Sequence, residues 1–469
     1  MKPRMRKFFK DMGIYAIGNI GSKVITFLMV PLYTYFVEET ADFGYYDICL
    51  QVCFLLLPFV TLQLRDGGFR FLLDCEDVLQ RKRIVTFVVR TLATTFVVTL
   101  ALALLVGLVR DVPYLWWTVA LLLSMSLQEV LSQVMRGLGN NRAFVTIGIV
   151  SAFGIGFFSL VFVAWMGMGI KGIFLANIVA RLLAVGAVEA RTRLLTSNFR
   201  LFIKIGDVGK EILRYCLPLL PGALCWWLTG SSDRFFIMKY LGLEANGVYA
   251  VAIRFTSVIQ TIAIIFYQAW QETAILQYNS PDRDRFFSRM FTGYVFFLGA
   301  LFVAYAFLLK LNYGWLVADQ YEGSLRYIYP LGVAAVIFAL SAFFDMGYQC
   351  AKDTARTLPA IVASAIINVA LNFALVPLLG MPGVVLTLIL TYLVLFVWRW
   401  HDMKRYFRLR LPRQVVVVPL VLCIGAGVFY ANLGWWADLL GMLALLALLA
   451  FFSRKLNLAQ ILHGKKKTS

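Results

Sequence analysis

The stretch SSDRFFIMKYLGLEANGVYAVAIRF, residues 231–255, joins two long apolar runs and places Arg254 well inside the second. Similar runs of roughly 20 residues recur along the chain, and each is long enough to cross about 30 Å of hydrocarbon as a helix. Hydrophobic residues make up 61% of the 469 and charged residues 15%, whereas soluble domains are about 25% charged. The sequence therefore predicts an all-α polytopic membrane protein with about fourteen transmembrane helices.

The net charge of +19 is unevenly distributed along the chain. If the N-terminus lies in the cytoplasm, the basic segments fall in every second loop, namely 2–10, 81–83, 191–214, 399–413 and 465–467. The intervening loops are neutral or acidic, as in EETAD at 38–42. This asymmetry follows the positive-inside rule and predicts a multi-pass protein with both termini in the cytoplasm. Membrane topology accounts for the net positive charge, so a nucleic-acid partner is not needed to explain it.

The chain also repeats itself. ADFGYYDI at 41–48 leads into span two and EANGVYAV at 244–251 leads into span eight, and a second pair of similar segments begins at 167 and 378. These pairs predict two parallel six-helix lobes, an arrangement found in many transporters. We expect an N-lobe at 1–190, a cytoplasmic linker at 191–212, a C-lobe at 213–400 and a basic cytoplasmic loop at 401–414, followed at 415–469 by spans 13 and 14 and a basic cytoplasmic tail.

Three segments, 17–48, 217–252 and 368–392, resemble the polysaccharide-transport branch of the MOP exporter superfamily, the bacterial flippases of lipid-linked oligosaccharides. In the second segment, a Pro-rich span leads to an Asp-Arg pair and then to a Gly-x-Tyr loop. The resemblance implies a MOP-type fold in the bacterial cytoplasmic (inner) membrane. It also implies flipping of undecaprenyl-diphosphate-linked oligosaccharide repeat units from the cytoplasmic to the outer leaflet, by alternating access, for capsule, exopolysaccharide or O-antigen assembly.

Several cations lie inside apolar spans. Lys23 and Arg254 are each about nine residues into spans one (14–37) and eight (245–267), roughly 14 Å from the nearer end. A charge at such depth costs on the order of 3 kcal/mol, so it tends to face a cavity or a partner. We predict a cationic, substrate-binding cavity formed by Lys23, Arg254, Arg70 and Arg181. Arg70 is included because it best matches the family's arginine at the end of span two; Arg65 and Arg90 are left open.

A diphosphate suits such a cavity because guanidinium groups bind phosphate oxygens in a bidentate fork and lysine supplies a point charge. Polar side chains at helical spacing are expected to line it, although hydrogen bonding between helices is the alternative for them. They are Asn19, Ser22, Thr26, Gln51, Ser257, Thr261, Asn368 and Asn372.

Acidic residues suggest two further roles. Asp233 and Arg234 are expected to form a gate or a local salt bridge at the outer end of span seven. Glu129 and Asp345 lie deep enough to couple transport to protons or sodium ions, or each pairs with a neighbouring arginine; the membrane potential is another possible driving force. No cofactor is expected, and the seven cysteines lack metal-ligand spacing and are interpreted as packing residues.

Two other functions are weighed against the flippase. An ion-coupled drug or small-molecule antiporter of the same superfamily fits less well, because the predicted cavity is cationic. A membrane polysaccharide polymerase or glycosyltransferase usually needs a large outer loop or paired catalytic carboxylates, and these are not evident. We therefore expect a transporter with no catalytic residues rather than an enzyme. Its expected partners are membrane lipids, the lipid-linked oligosaccharide and the polymerase and glycosyltransferases of the same pathway.

Overall fold

The computed structural model describes residues 28–37, 39–73, 75–200, 207–351, 353, 356–431 and 433–455. Within these ranges the chain is helical and contains no strand. Thirteen helices are long and apolar enough to cross a membrane, and they correspond to predicted spans two to fourteen. Most of predicted span one, 14–37, lies outside the described residues. The all-α polytopic fold expected from the hydropathy is confirmed.

The helices are numbered here in chain order. They are α1 (28–36), α2 (Thr40–Thr61), α3 (Leu64–Leu73), α4 (Val78–Val109), α5 (Leu115–Gly137), α6 (Asn141–Ser159, continued as a π-helix over Leu160–Trp165), α7 (Gly169–Thr192), α8 (Leu194–Arg200), α9 (Val208–Cys216), α10 (Leu220–Ser231), α11 (Asp233–Leu241), α12 (Leu243–Gln277), α13 (Arg283–Leu311), α14 (Tyr313–Leu316), α15 (Leu325–Cys350), α16 (Thr357–Leu379), α17 (Met381–Met403), α18 (Val417–Tyr430) and α19 (Trp435–Lys455).

Local sequence explains several helix ends. The Asp77 carboxylate accepts hydrogen bonds from the backbone N–H groups of Leu79 and Gln80 and so caps the start of α4. Leu62 and Gln63 both have positive φ, 48° and 54°, a conformation that non-glycine residues rarely adopt. They end α2, so Arg65 lies on a separate short helix, α3.

The described residues form two compact units, one up to Phe235 and the other from Phe236 onward. In the first unit α7 packs on α6 and α5, and α3 packs on α5. The helices of predicted span seven, α9 and α10, pack on α3 and α2 of this same unit. The lobe limits of 190 and 213, which place span seven in the second lobe, stay a prediction based on the sequence repeat.

The second unit is built around α12, α15 and α17, with α16 packed on α17 and α13 packed on α15 and α19. Aromatic rings fill its core: Trp270 stacks on Phe343 with ring centroids 4.8 Å apart. The last helix, α19, is held by a buried ion pair in which Lys310 Nζ lies 2.8 Å from Asp438 Oδ2. Spans 13 and 14 therefore pack as part of this unit.

Candidate transport sites in the two units

Arg181 lies at the middle of α7, about 16 Å or more from either end at about 1.5 Å per residue. One of its terminal nitrogens donates a 2.7 Å hydrogen bond to the side-chain oxygen of Gln128 on α5, and Gln128 donates in turn to Ser151 Oγ on α6 at 3.0 Å. Its Nε is buried and has no hydrogen-bond partner within the described residues. The guanidinium is thus anchored by a neutral amide and retains a free donor.

The other charged groups around Arg181 pair with one another. Glu129 interacts electrostatically with Arg181 but forms its ion pair with Arg65 of α3, which also contacts Asp66 at 3.4 Å. Arg65 and Glu129 are partly exposed, with 45% and 26% of their side chains accessible. Glu129 is therefore paired with an arginine, one of the two arrangements expected for it. Arg70 is exposed at the end of α3.

A buried charged cluster joins α11 to α2. The Arg234 Nε lies 3.1 Å from Asp47 Oδ2, and another guanidinium nitrogen lies 2.8 Å from Asp233 Oδ1 and 3.0 Å from the carbonyl of Gly230. All three charged side chains are nearly inaccessible. Asp233 and Arg234 thus form a salt bridge, and Asp47 of α2 is a second carboxylate on the same guanidinium.

In the second unit Asp345 lies at the centre of a polar network. Its carboxylate pairs with Arg399 of α17 at 3.2 Å and accepts hydrogen bonds from Tyr267 of α12 at 2.9 Å and from Gln349 at 3.1 Å. Gln349 also accepts a 2.7 Å hydrogen bond from Gln271. Arg399 is buried, whereas 21% of the Asp345 side chain is exposed. The network ties three helices to one partly accessible carboxylate.

Arg399 falls in two predicted segments, the basic segment 399–413 and the C-lobe that ends at 400. In the structure α17 extends to Met403, and Arg399 is a buried residue of that helix. The tryptophans on either side of it, in WRWH at 398–401, are the sequence signal that the apolar span continues. Gln128, Ser151, Gln271 and Gln349 were not singled out, because neutral side chains alter a hydropathy profile little.

The remaining residues predicted for the cavity lie on α12, on α16, on α2 and in the segment before α1. On α12, Arg254 is half-buried, and the hydroxyls of Ser257 and Thr261 donate to backbone carbonyls of their own helix. On α16, Asn372 donates to Asn368 at 3.1 Å, and Asn368 donates to Thr391 of α17 at 3.3 Å.

Gln51 of α2 is buried, and its backbone carbonyl accepts a 3.0 Å hydrogen bond from Trp227 on α10. The bond from Asn368 to Thr391 is a side-chain hydrogen bond between helices, the alternative that the sequence left open, whereas the bond from Asn372 to Asn368 lies within α16. Asn19, Ser22, Lys23 and Thr26 lie outside the described residues. Their roles stay predictions.

An apolar groove opens between α13, α15, α17 and α18. It has a volume of about 460 Å³, and its lining includes Tyr329, Val333, Phe396 and Ala426. Only Tyr329, Cys423 and Tyr430 contribute side chains with polar atoms, and the Tyr329 hydroxyl is engaged with the carbonyl of Leu422 at 2.8 Å. The groove suits a hydrocarbon chain.

Several solved transporters share the fold. The lipid II flippase MurJ in an inward closed conformation has a TM-score of 0.71 at 13% identity, covering 94% of this chain and 99% of that chain. An inward-facing multidrug resistance MATE family transporter of the MOP superfamily has a TM-score of 0.63 at 13% identity, covering 82% and 95%. A MOP superfamily transporter from Pyrococcus furiosus has a TM-score of 0.54 at 14% identity, covering 86% and 96%.

At such identities the likeness shows the fold, which is the MOP fold expected from the sequence. No curated protein matches the chain in sequence. Residues 8–271, more than half of the 469, match the family described as polysaccharide biosynthesis protein. The resemblance to a polysaccharide family read from the three segments is confirmed, and the protein is a multi-pass membrane protein that shares its fold with transporters of the MOP superfamily. The chain belongs to the polysaccharide biosynthesis protein family.

Proposed function

We propose that this protein flips an undecaprenyl-diphosphate-linked oligosaccharide from the cytoplasmic to the outer leaflet of the bacterial inner membrane by alternating access. The product would enter capsule, exopolysaccharide or O-antigen assembly, in the company of a polymerase and glycosyltransferases. Membership of the polysaccharide biosynthesis family supports the polysaccharide pathway. Similarity in fold to a protein described as a lipid II flippase supports handling of a lipid-linked substrate.

The observation that carries the proposal is the state of Arg181. Two other buried arginines of the helices are paired with carboxylates, Arg234 with Asp47 and Arg399 with Asp345. Arg181 is instead bound by the neutral Gln128 and forms no ion pair among the described residues, although its Nε, like that of Arg399, is buried without a hydrogen-bond partner there. A positive charge inside a membrane helix that is fixed but not neutralised favours an anionic ligand. A diphosphate matches the geometry of a guanidinium.

The apolar groove supports a lipid-linked cargo. Its wall is contributed partly by α18, which is span 13. A polyprenyl chain is apolar along its length, so it matches the apolar lining of this groove. We assign the polyprenyl tail to this groove.

We further propose that protons or sodium ions couple to transport through Asp345. Its carboxylate is partly accessible and also contacts Arg399, Tyr267 and Gln349. Binding of a cation to Asp345 would weaken its attraction to Arg399 and change the contacts among α12, α15 and α17. Glu129, the other candidate, contacts a single exposed arginine of α3.

The cellular test is depletion of the protein followed by mass spectrometry of the polyprenyl lipids. The proposal predicts that a polyprenyl-diphosphate oligosaccharide accumulates on the cytoplasmic leaflet while surface polysaccharide is lost. Restoring the wild-type chain should reverse both effects. Normal surface polysaccharide with no accumulated lipid-linked sugar in depleted cells would contradict the proposal.

A further inference from the structure

A second cationic region lies outside the polar groups of the spans, at the turn between α12 and α13. Here a cavity of about 890 Å³ is bounded by residues 278–285, by Ser288, Arg289 and Thr292 of α13, and by Arg410 and Pro412 of the segment before α18. All of these residues belong to the second unit. The charge asymmetry of the sequence assigns both segments to the cytoplasmic side.

Four arginines line this cavity: Arg283, Arg285, Arg289 and Arg410. Arg283 pairs with Asp284 at 3.0 Å and lies over the Tyr278 ring, 5.2 Å from its centroid. The guanidinium groups of Arg285 and Arg410 are exposed, and neither has a hydrogen-bond or ion-pair partner within the described residues. Two carboxylates, Asp282 and Asp284, also face the cavity, so the four arginines leave an excess of positive charge.

The wall of the cavity is fixed by hydrogen bonds. Ser288 accepts a 2.9 Å hydrogen bond from the backbone N–H of Arg410, and its hydroxyl donates to the Asp284 carbonyl at 2.6 Å. These bonds hold the segment before α18 against α13, so Arg285 and Arg410 are brought to one cavity from positions 125 residues apart (410 − 285). The N-terminal end of the α13 dipole, which favours anions, adds to the positive potential.

The position along α13 suits the surface of a membrane. Arg283 begins the helix, and Arg289 lies about 9 Å further along it. The arginines therefore lie between the α12–α13 connection and the first apolar residues of α13. This is the level at which lipid phosphates lie. Basic pockets on the cytoplasmic side of membrane proteins bind anionic head groups, and a volume of 890 Å³ is within the usual range for ligand sites.

We infer that this cavity binds a phosphate group, with Arg285 and Arg410 as its principal ligands. The phosphate belongs either to the head group of an anionic phospholipid or to a soluble diphosphate. This site is separate from Arg181 and does not depend on the proposed transport function. One anion bound in this cavity contacts both Arg285, near the α12–α13 turn, and Arg410, in the segment before α18, and so links the two segments.

The test uses the full chain, purified in detergent and titrated with phosphatidylglycerol while native mass spectrometry counts bound lipids. Phosphatidylcholine is the neutral comparison, and inorganic pyrophosphate is the soluble competitor. The wild type is expected to bind phosphatidylglycerol in preference to phosphatidylcholine. Arg285→Gln/Arg410→Gln should weaken that binding by at least about tenfold, the loss expected when a charge-assisted hydrogen bond is removed.

The matched control is Arg142→Gln/Arg191→Gln, which removes the same charge from exposed positions outside the cavity. It should bind within about twofold of the wild type, because isolated surface charges contribute little. If pyrophosphate displaces the lipid, a soluble diphosphate is able to fill the site. If the lipid stays bound, the ligand is the phospholipid head group. Equal affinity in the two double variants, or no preference of the wild type for the anionic lipid, would overturn the inference.

Discussion

Arg234 Nε and Asp47 Oδ2 lie 3.1 Å apart although 187 positions separate the two residues in the chain. The same guanidinium also contacts Asp233, and all three side chains are almost completely buried. The pair joins α11, at the end of the first unit, to α2 near its beginning. The Asp-Arg pair of segment 217–252, which carries part of the family resemblance, is therefore part of an ion cluster that joins two helices.

Arg234→Ala should destabilise the protein strongly. It leaves Asp47 and Asp233 buried without their guanidinium, and breaking a buried ion pair from one side costs about 3–5 kcal/mol. A large fall in the thermal unfolding midpoint in detergent would show this loss. Asp47→Asn is the matched control, because Arg234 keeps its contact with Asp233. Equal midpoints for the two variants would contradict the ion-cluster interpretation.

Lys310→Met should loosen α19 from α13. The substitution removes an ammonium that contacts both Asp438 and the Phe429 ring, and it leaves the Asp438 carboxylate buried without its partner, at a cost of about 3–5 kcal/mol. Lys310→Met/Asp438→Leu removes both charges and should recover much of that loss. Limited proteolysis of α19 together with the unfolding midpoint measures both effects. A single variant as stable as the wild type would show that the pair does not hold the helix.

Asp345→Asn should uncouple transport from an imposed ion gradient. The neutral amide cannot bind a proton or a sodium ion as the carboxylate does, and its pairing with Arg399 is weakened. In vesicles, stimulation of flipping by a proton or sodium gradient should fall at least about fivefold. Glu129→Gln is the comparison and should retain stimulation. If Glu129→Gln loses the stimulation and Asp345→Asn keeps it, coupling takes place at Glu129 and not at Asp345.

Ala426→Trp should hinder binding of a polyprenyl tail, because Ala426 lines the apolar groove. An indole in this groove would displace part of the chain, and overpacking of an apolar site costs about 1–3 kcal/mol. The initial flipping rate of a long-chain substrate in vesicles should fall. Ile424→Trp places the same ring at a position of the same helix that is 53% exposed and outside the groove. Equal rates in both variants would exclude the groove as the tail site.

The spans were predictable because hydropathy is a local property. Each of the thirteen membrane-length helices was expected near its observed position, although α12 runs to Gln277, beyond the expected end at 267. The end at Gln277 was missed because polar residues extend the amphipathic helix past the hydrocarbon. A window of mean hydropathy does not detect that continuation.

The pairing of charged residues was not predictable in the same way. Arg181 was identified as a candidate from its depth in an apolar run, but its contact with Gln128 joins α7 to α5 across 53 positions. Likewise, Asp345 meets Arg399 because α15 packs on α17. Which cation is neutralised depends on how helices pack, so depth in an apolar run pointed to Arg181 as a buried charge but did not show its partner.

The central claim is that Arg181 binds the diphosphate of a lipid-linked cargo during flipping. The most direct measurement is the flipping rate of a fluorescent polyprenyl-diphosphate disaccharide in vesicles containing the wild type, Arg181→Gln or Arg181→Lys at equal protein content. We predict that Arg181→Gln lowers the rate at least about tenfold and that Arg181→Lys retains part of it, since lysine keeps the charge but loses the fork. The exposed control Arg142→Gln should flip at the wild-type rate. A wild-type rate for Arg181→Gln would contradict the claim.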